Sequence, residues 1–174
     1  MDSVYIPSER IALLRADKPG MKLLEKICHC KISIVDDEFV ALEGKAYDVF
    51  VAKRVIMAFG RGFEMNVARL LLNEDSYFSS IDLKNELGSE KHVKRMKARI
   101  IGERGRAKLY IESVSSVKMC IYGDTVSFIG NMNEIKEAET AVNTLIQGGT
   151  HKLAYLRMEA AHRKNKAVAH NPVF

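Results

Sequence analysis

The sequence of 174 residues has no tryptophan, three prolines and three cysteines. An odd, small number of thiols offers no disulfide framework. The opening Met1-Asp2-Ser3-Val4-Tyr5-Ile6-Pro7 lacks the basic and apolar regions of a secretory leader, so reduced cysteines and a cytoplasmic setting are expected. No apolar run approaches about 18 residues, which excludes a membrane-spanning helix. Neither GxxxxGK[ST] nor HExxH occurs, so nucleotide hydrolysis and zinc-dependent hydrolysis have no support. Cys28-His29-Cys30 has metal-ligand residue types, but a structural zinc needs four ligands and Cys120, in a predicted strand, is the only other cysteine. The cysteines read as small apolar residues. Asp36-Asp37-Glu38, the densest acidic run, sits in a predicted hairpin turn and solvates a strand connection; a nuclease would gather carboxylates around metal ions. The expectation is a protein with no catalytic residue, metal, cofactor or small-molecule substrate.

Positive charge is present, and unevenly placed. Residues 1–90 hold 12 Lys/Arg against 15 Asp/Glu, a net of −3, whereas residues 91–174 hold 15 against 7, a net of +8. A basic half beside a mildly acidic one points to a polyanion met by one half only. Inside the basic half lies Ile100-Ile101-Gly102-Glu103-Arg104-Gly105-Arg106, between two helix-like runs, 91–99 and 107–114. Glycines three apart allow a turn with positive φ and close backbone approach, and amides at a helix start form a phosphate seat. Strands are expected over 117–122 and 125–129 around the turn Gly123-Asp124, then a helix over 133–146 and a basic helix over 152–164. Residues 167–174 are expected to fray.

The first half repeats this order. A strand over 3–6 ends at Pro7, and Ser8 is the expected cap of a helix over 9–15. A turn at 17–20 opens a second helix, followed by strands over 31–35 and 39–42 and a helix over 46–59. The halves align at a constant offset of 86 without gaps: Leu14 falls on Ile100, Val35 on Ile121, Val40 on Val126 and Phe59 on Leu145. An internal duplication accounts for this. Ala16-Asp17-Lys18-Pro19 falls on the glycine turn with neither glycine, so the first copy keeps the fold and loses the clamp. Between the copies, Met65, Ala68, Arg69 and Leu72 form one helical face expected to pack between domains. Residues 80–83 form a plausible first strand of the second copy.

The element order resembles that of a type I KH domain, a module that clamps about four single-stranded nucleotides. The fold expected is α+β: two tandem KH domains of order β-α-α-β-β-α, each a three-stranded sheet packed on helices, over residues 1–75 and 76–174. Four further segments narrow the resemblance: Ile6-Pro7-Ser8-Glu9-Arg10-Ile11-Ala12-Leu13-Leu14, Gly60-Arg61-Gly62-Phe63, Ile81-Asp82-Leu83 and Thr125-Val126-Ser127-Phe128-Ile129-Gly130. With Arg99-Ile100-Ile101-Gly102-Glu103-Arg104-Gly105 they resemble the archaeal two-KH small-subunit assembly proteins, relatives of the eukaryotic Dim-two and Krr-type factors. That resemblance implies binding near the 3′ end of small-subunit ribosomal RNA during its maturation, in partnership with a PIN-domain endonuclease and other pre-ribosomal proteins. In the second domain the backbone of Gly102 to Gly105 would hold the RNA backbone. Lys97, Arg104, Arg106 and Lys108 would attract phosphates, with Glu103 exposed among them. Ile100, Ile101, Leu109, Met119 and Ile121 read equally as the floor of the base groove or as hydrophobic core, and Ile121 reads more as core. Two functions stand at this point: a non-catalytic RNA-binding assembly factor, and a protein-docking scaffold with incidental RNA contact.

Overall fold

The computed structural model describes residues 2–170, and these fall into two compact units divided between Glu74 and Asp75. The first unit runs β1 (Asp2–Tyr5), α1 (Ser8–Ala16), α2 (Lys18–Cys28), β2 (Lys31–Val35), β3 (Phe39–Glu43), α3 (Ala46–Gly60) and the short α4 (Met65–Ala68). The second runs β4 (Tyr77–Asp82), α5 (Leu83–Leu87), α6 (Glu90–Ile101), α7 (Arg106–Ser115), β5 (Lys118–Tyr122), β6 (Thr125–Gly130), α8 (Met132–Ile146) and α9 (His151–His170). Each unit holds an antiparallel three-stranded sheet, ordered β1-β3-β2 and β4-β6-β5, so the last strand of each lies in the middle. Thr125 to Ile129 of β6 are all buried, and the apolar Val126 and Phe128 alternate with the polar Thr125 and Ser127. Val126 and Phe128 pack against Ile135, Ala138, Val142 and Leu145 on one stripe of α8, with Ile100 and Ile111 closing the core.

Strand pairing fixes how the units correspond, and it corrects the ungapped alignment. Val4 faces Val40 across β1 and β3, and Ile81 faces Val126 across β4 and β6. Val126 lies 86 residues beyond Val40, but Ile81 lies only 77 beyond Val4. The extra residues of the second unit hold α5, capped by Asp82, whose carboxylate accepts from the N–H groups of Lys84 and Asn85. Leu83 therefore leaves the expected strand and opens a helix. A second break lies at the hairpins: three residues separate Val35 from its partner Phe39, and two separate Tyr122 from Thr125. Val35 thus matches Tyr122, not Ile121, at an offset of 87. The same 87 relates Glu25 to Glu112, whose carboxylates accept the N–H of Ile32 at 2.7 Å and of Met119 at 2.8 Å. Leu14 and Ile100, both fully buried, keep 86. The first unit has therefore lost one residue between its two leading helices.

Each unit braces the end of its long helix with a guanidinium. Arg10 donates through Nε to the Phe59 carbonyl at 2.9 Å and through Nη2 to the Phe63 carbonyl at 2.6 Å. Arg99 donates to the carbonyls of Leu145 at 3.2 Å and Gly149 at 2.7 Å. Leu145 and Gly149 stand 86 residues beyond Phe59 and Phe63, so the same two acceptors are bracketed in both units. A helix C-terminus leaves carbonyls without intrahelical partners, and a cation there also meets the negative end of the macrodipole. The His151 ring adds a bond from Nε2 to the Arg99 carbonyl, 2.8 Å away.

Three further expectations change. Pro7, in extended conformation, precedes α1 and no side chain caps it; Ser8 is already helical. After α4 the chain tightens into a 3-10 turn, Arg69–Leu72, whose period of three buries Met65, Ala68 and Leu71 against α3 within the first unit. That replaces the expected face of Met65, Ala68, Arg69 and Leu72. Helix α9 continues through residues 167–170, which were expected to fray, while 171–174 lie outside the described residues. Arg99→Ala is expected to cost about 1–3 kcal/mol by removing both bonds, although the Leu145 carbonyl keeps the Gly148 N–H. Arg99→Lys is expected to recover only part of that, since an ammonium lacks the planar fork. Chemical denaturation midpoints of both variants measure this; equal stability of the lysine variant and the parent would refute the bracket.

Candidate nucleic-acid interface

Helix α6 ends on Gly102 at φ 74°, and Glu103–Gly105 form a single 3-10 turn before α7. Arg104 at φ 53° and Gly105 at φ 77° follow in left-handed conformations that only glycine adopts freely. The two glycines are needed for different reasons. A Cβ on Gly102 would lie 2.6 Å from the Ala107 Cβ and 2.7 Å from the Ala107 nitrogen, whereas one on Gly105 would meet nothing within 4 Å. Gly102 lets the loop close onto the first turn of α7, and Gly105 supplies only the positive φ. The Gly105 N–H donates to the Gly102 carbonyl at 3.2 Å, holding the turn shut. The result presents the N-terminus of a ten-residue helix beside a cationic loop.

The side chains expected around this loop divide into three groups. Glu103, Arg104 and Arg106 are exposed, and among the described residues no hydrogen bond or ion pair engages either arginine. Lys97 and Lys108 are tied down. The Lys97 ammonium donates to the Gly123 carbonyl at 2.8 Å and stands 3.5 Å from the Asp124 carboxylate, fastening α6 to the β5–β6 turn. Lys108 stands 3.2 Å from Glu112, one turn along α7. The apolar candidates split as well. Ile101 and Leu109 are 37% and 60% exposed, while Ile100 and Met119, at 0% and 3%, belong to the core and offer no groove surface. Ile121 is partly buried against the same core. Strand β5 pairs on one side only, with β6, and Glu112 accepts one N–H, that of Met119, on its other edge. Arg99, His151 and Glu112, none of them expected, set where the loop and this edge lie.

The first unit treats the same place differently. Asp17 alone joins α1 to α2, and its carboxylate accepts the Gly20 N–H at 3.0 Å. A Cβ on Gly20 would stand 2.1 Å from the Asp17 Oδ2. The helix N-terminus that could receive an anion is filled by the chain's own carboxylate.

Asp37 of the acidic turn pairs with Arg15 at 2.7 Å. Cys28, Cys30 and Cys120 are free thiols. Burial, then the neighbouring Cys30, pushes Cys28 up to about 11, and burial also raises Cys30. Among the described residues no group of three or more His, Cys, Asp or Glu is placed to hold a metal ion, and no helix is long and apolar enough to cross a membrane.

Comparison with known proteins follows the same lines. Residues 77–163 match the family described as eukaryotic type KH-domain, KH-domain type I. A KH domain-containing protein of Methanocaldococcus jannaschii is 31% identical over 95% of this chain and 76% of its own length. The pre-rRNA-processing protein pno1 of Aspergillus fumigatus is 32% identical over 64% of this chain, which spans 46% of that relative. A chain in the crystal structure of an a/eIF2alpha–aDim2p–rRNA complex from Pyrococcus horikoshii is similar in fold, with a TM-score of 0.85, 33% identity and coverage of 94% of both chains.

Gly105→Ala is expected to cost about 1–2 kcal/mol, the penalty of a left-handed conformation. Gly102→Ala is expected to cost more, because its Cβ also strikes Ala107. Urea midpoints of the two variants decide; equal costs would mean that the contact at Ala107 relaxes and does not fix the loop.

Proposed function

Since the chain belongs to the type I KH-domain family, we propose that it is a single-stranded RNA-binding protein of small-subunit ribosome maturation, acting without catalysis. The observation that carries this is the 102–105 loop: a backbone turn at a helix N-terminus with the Arg104 and Arg106 side chains exposed and unengaged. The backbone there holds RNA phosphates, Arg104 and Arg106 neutralise them, and Ile101 and Leu109 give the bases apolar contact. Lys97 acts chiefly by fastening α6 to the β5–β6 turn, and Lys108 pairs with Glu112 along α7. The relatives named for pre-rRNA processing and the rRNA-containing complex support ribosomal RNA as the ligand, and the 3′ end of small-subunit rRNA is the segment proposed.

The first unit is proposed as a second KH fold of the archaeal Dim-two type that does not clamp RNA, because Asp17 fills its anion site. Residues 1–75 then serve docking, with the PIN-domain endonuclease and other pre-ribosomal proteins as the proposed partners. Their near-neutral balance, 11 Lys/Arg against 12 Asp/Glu, leaves a basic partner unopposed.

Placing aspartate at both Glu103 and Arg104 tests the loop. Aspartate tolerates the left-handed conformation at Arg104, so the fold is expected to persist. Affinity for single-stranded small-subunit rRNA is expected to fall by more than about tenfold at low salt, with an unchanged thermal melt. Unchanged affinity would remove the loop from the site. Lys18→Asp in the first unit is expected to alter affinity by less than about twofold, as phosphate contacts there are absent; a loss as large as that of the second-loop variant would show that both units clamp RNA.

A further inference from the structure

We propose that α9 carries a second RNA track, formed by Lys152, Arg163 and Lys166, which binds the nucleotides flanking the segment held at the loop. The proposal rests on the reading that RNA occupies the 102–105 loop. Its first support is a comparison between the two units. Counted from the bracketed carbonyls Phe63 and Gly149, α4 and its 3-10 turn occupy the place of the first turns of α9: Met65 answers His151, Ala68 answers Ala154 and Leu72 answers Met158. Both segments pack on the long helix before them, burying Met65, Ala68 and Leu71 in one unit and Ala154 and Met158 in the other. In the first unit the chain stops being helical there, and its core is sealed. Helix α9 runs on to His170, and the added turns carry Arg163, Lys164 and Lys166. Those turns also supply His162 and Asn165 to the buried Glu137, a task in which their cations take no part.

The second support is where this helix lies and how it is charged. Its start is fixed by His151 to the carbonyl of Arg99, three residues before Gly102, at 2.8 Å. It then lies against α7, the helix that leaves the loop: the Tyr110 and Tyr155 rings stand 4.4 Å apart, and the Tyr110 hydroxyl donates to Glu159. Farther along, the buried Glu137 of α8 accepts from Asn165 at 2.7 Å and bonds the His162 ring at 2.8 Å, so the last turns are held down rather than loose. Helical spacing puts residues 152, 159, 163 and 166 on one stripe, about 21 Å long at 1.5 Å per residue. Lys152, Arg163 and Lys166 are exposed, and the stripe's one acid, Glu159, is already engaged by Tyr110 and by Arg163 at 4.0 Å. A cationic stripe running from beside a phosphate-binding loop, with exposed Leu156 on the same outward side, has the charge and apolar contact that a single-stranded backbone takes.

Two single-stranded rRNA-derived oligonucleotides separate this track from the loop, one of about six nucleotides that fills the groove and one of about fourteen that overruns it. The full chain with Lys152→Gln, Arg163→Gln and Lys166→Gln is compared with the parent by anisotropy titration across salt. The longer RNA is expected to bind about tenfold more weakly at low salt, with a salt slope shallower by about 2, and the shorter RNA to bind unchanged. An unchanged slope and affinity for the longer RNA would overturn the track and leave these cations to an acidic protein surface. Equal losses on both RNAs would overturn it too, as a general effect of charge. The Glu103→Asp, Arg104→Asp double variant reads the loop separately on the shorter RNA. If that affinity does not move, the loop reading fails, while the longer RNA still decides for or against α9.

Discussion

Two carbonyl oxygens, one at the end of the long helix and one four residues on, govern how each unit of this protein is closed. In the first unit they belong to Phe59 and Phe63, in the second to Leu145 and Gly149, and in both a guanidinium from the leading helix spans them. The helix that supplies the guanidinium is the one that delivers the chain to the candidate loop. The bracket therefore sets the height at which α6 ends and Gly102 begins. The acceptors are conserved between the units, but the donor is not: Arg10 and Arg99 differ by 89 residues, three more than the carbonyls do. A long side chain on the next turn of a helix reaches the same place, so the geometry of the acceptors is what the fold retains.

Much of this was legible in the sequence because it is written in periodicity and turn chemistry. The two halves share apolar spacing at 3.6 in their long helices, and Gly123-Asp124 marks its hairpin without ambiguity. The 102–105 loop was legible for the same reason: two glycines between helical runs leave little else for the chain to do. What was not legible depends on distance in space. Nothing in a single sequence distinguishes Arg99, aimed at carbonyls 46 and 50 residues away, from a surface arginine. Ile100 and Ile101 are adjacent and chemically alike, yet one is sealed in the core and the other is partly exposed. The gaps in the duplication were hidden because apolar positions match at 86 and at 87 almost equally well; only strand register separates them.

The candidate interface also shows an economy in the use of charge. Of the cations that crowd the loop in sequence, two are structural struts: Lys97 pins the β5–β6 turn, and Lys108 accompanies the carboxylate that takes an edge-strand N–H. The Arg104 and Arg106 side chains are exposed and make no such contact among the described residues. Rigid parts hold the backbone surface in shape, while the residues that meet solvent remain uncommitted, which limits the ordering that binding has to impose.

The one-residue linker of the first unit bears on how this protein came to be asymmetric. Regaining an anion site there would require removing the Asp17 carboxylate, lengthening the link between α1 and α2, and replacing Pro19, which has no amide hydrogen to offer. None of these changes helps without the others, since a longer loop is still occupied and an emptied one is still too short. Single substitutions therefore do not turn the first unit's link into an anion site, and the two units differ there by more than the identity of two glycines.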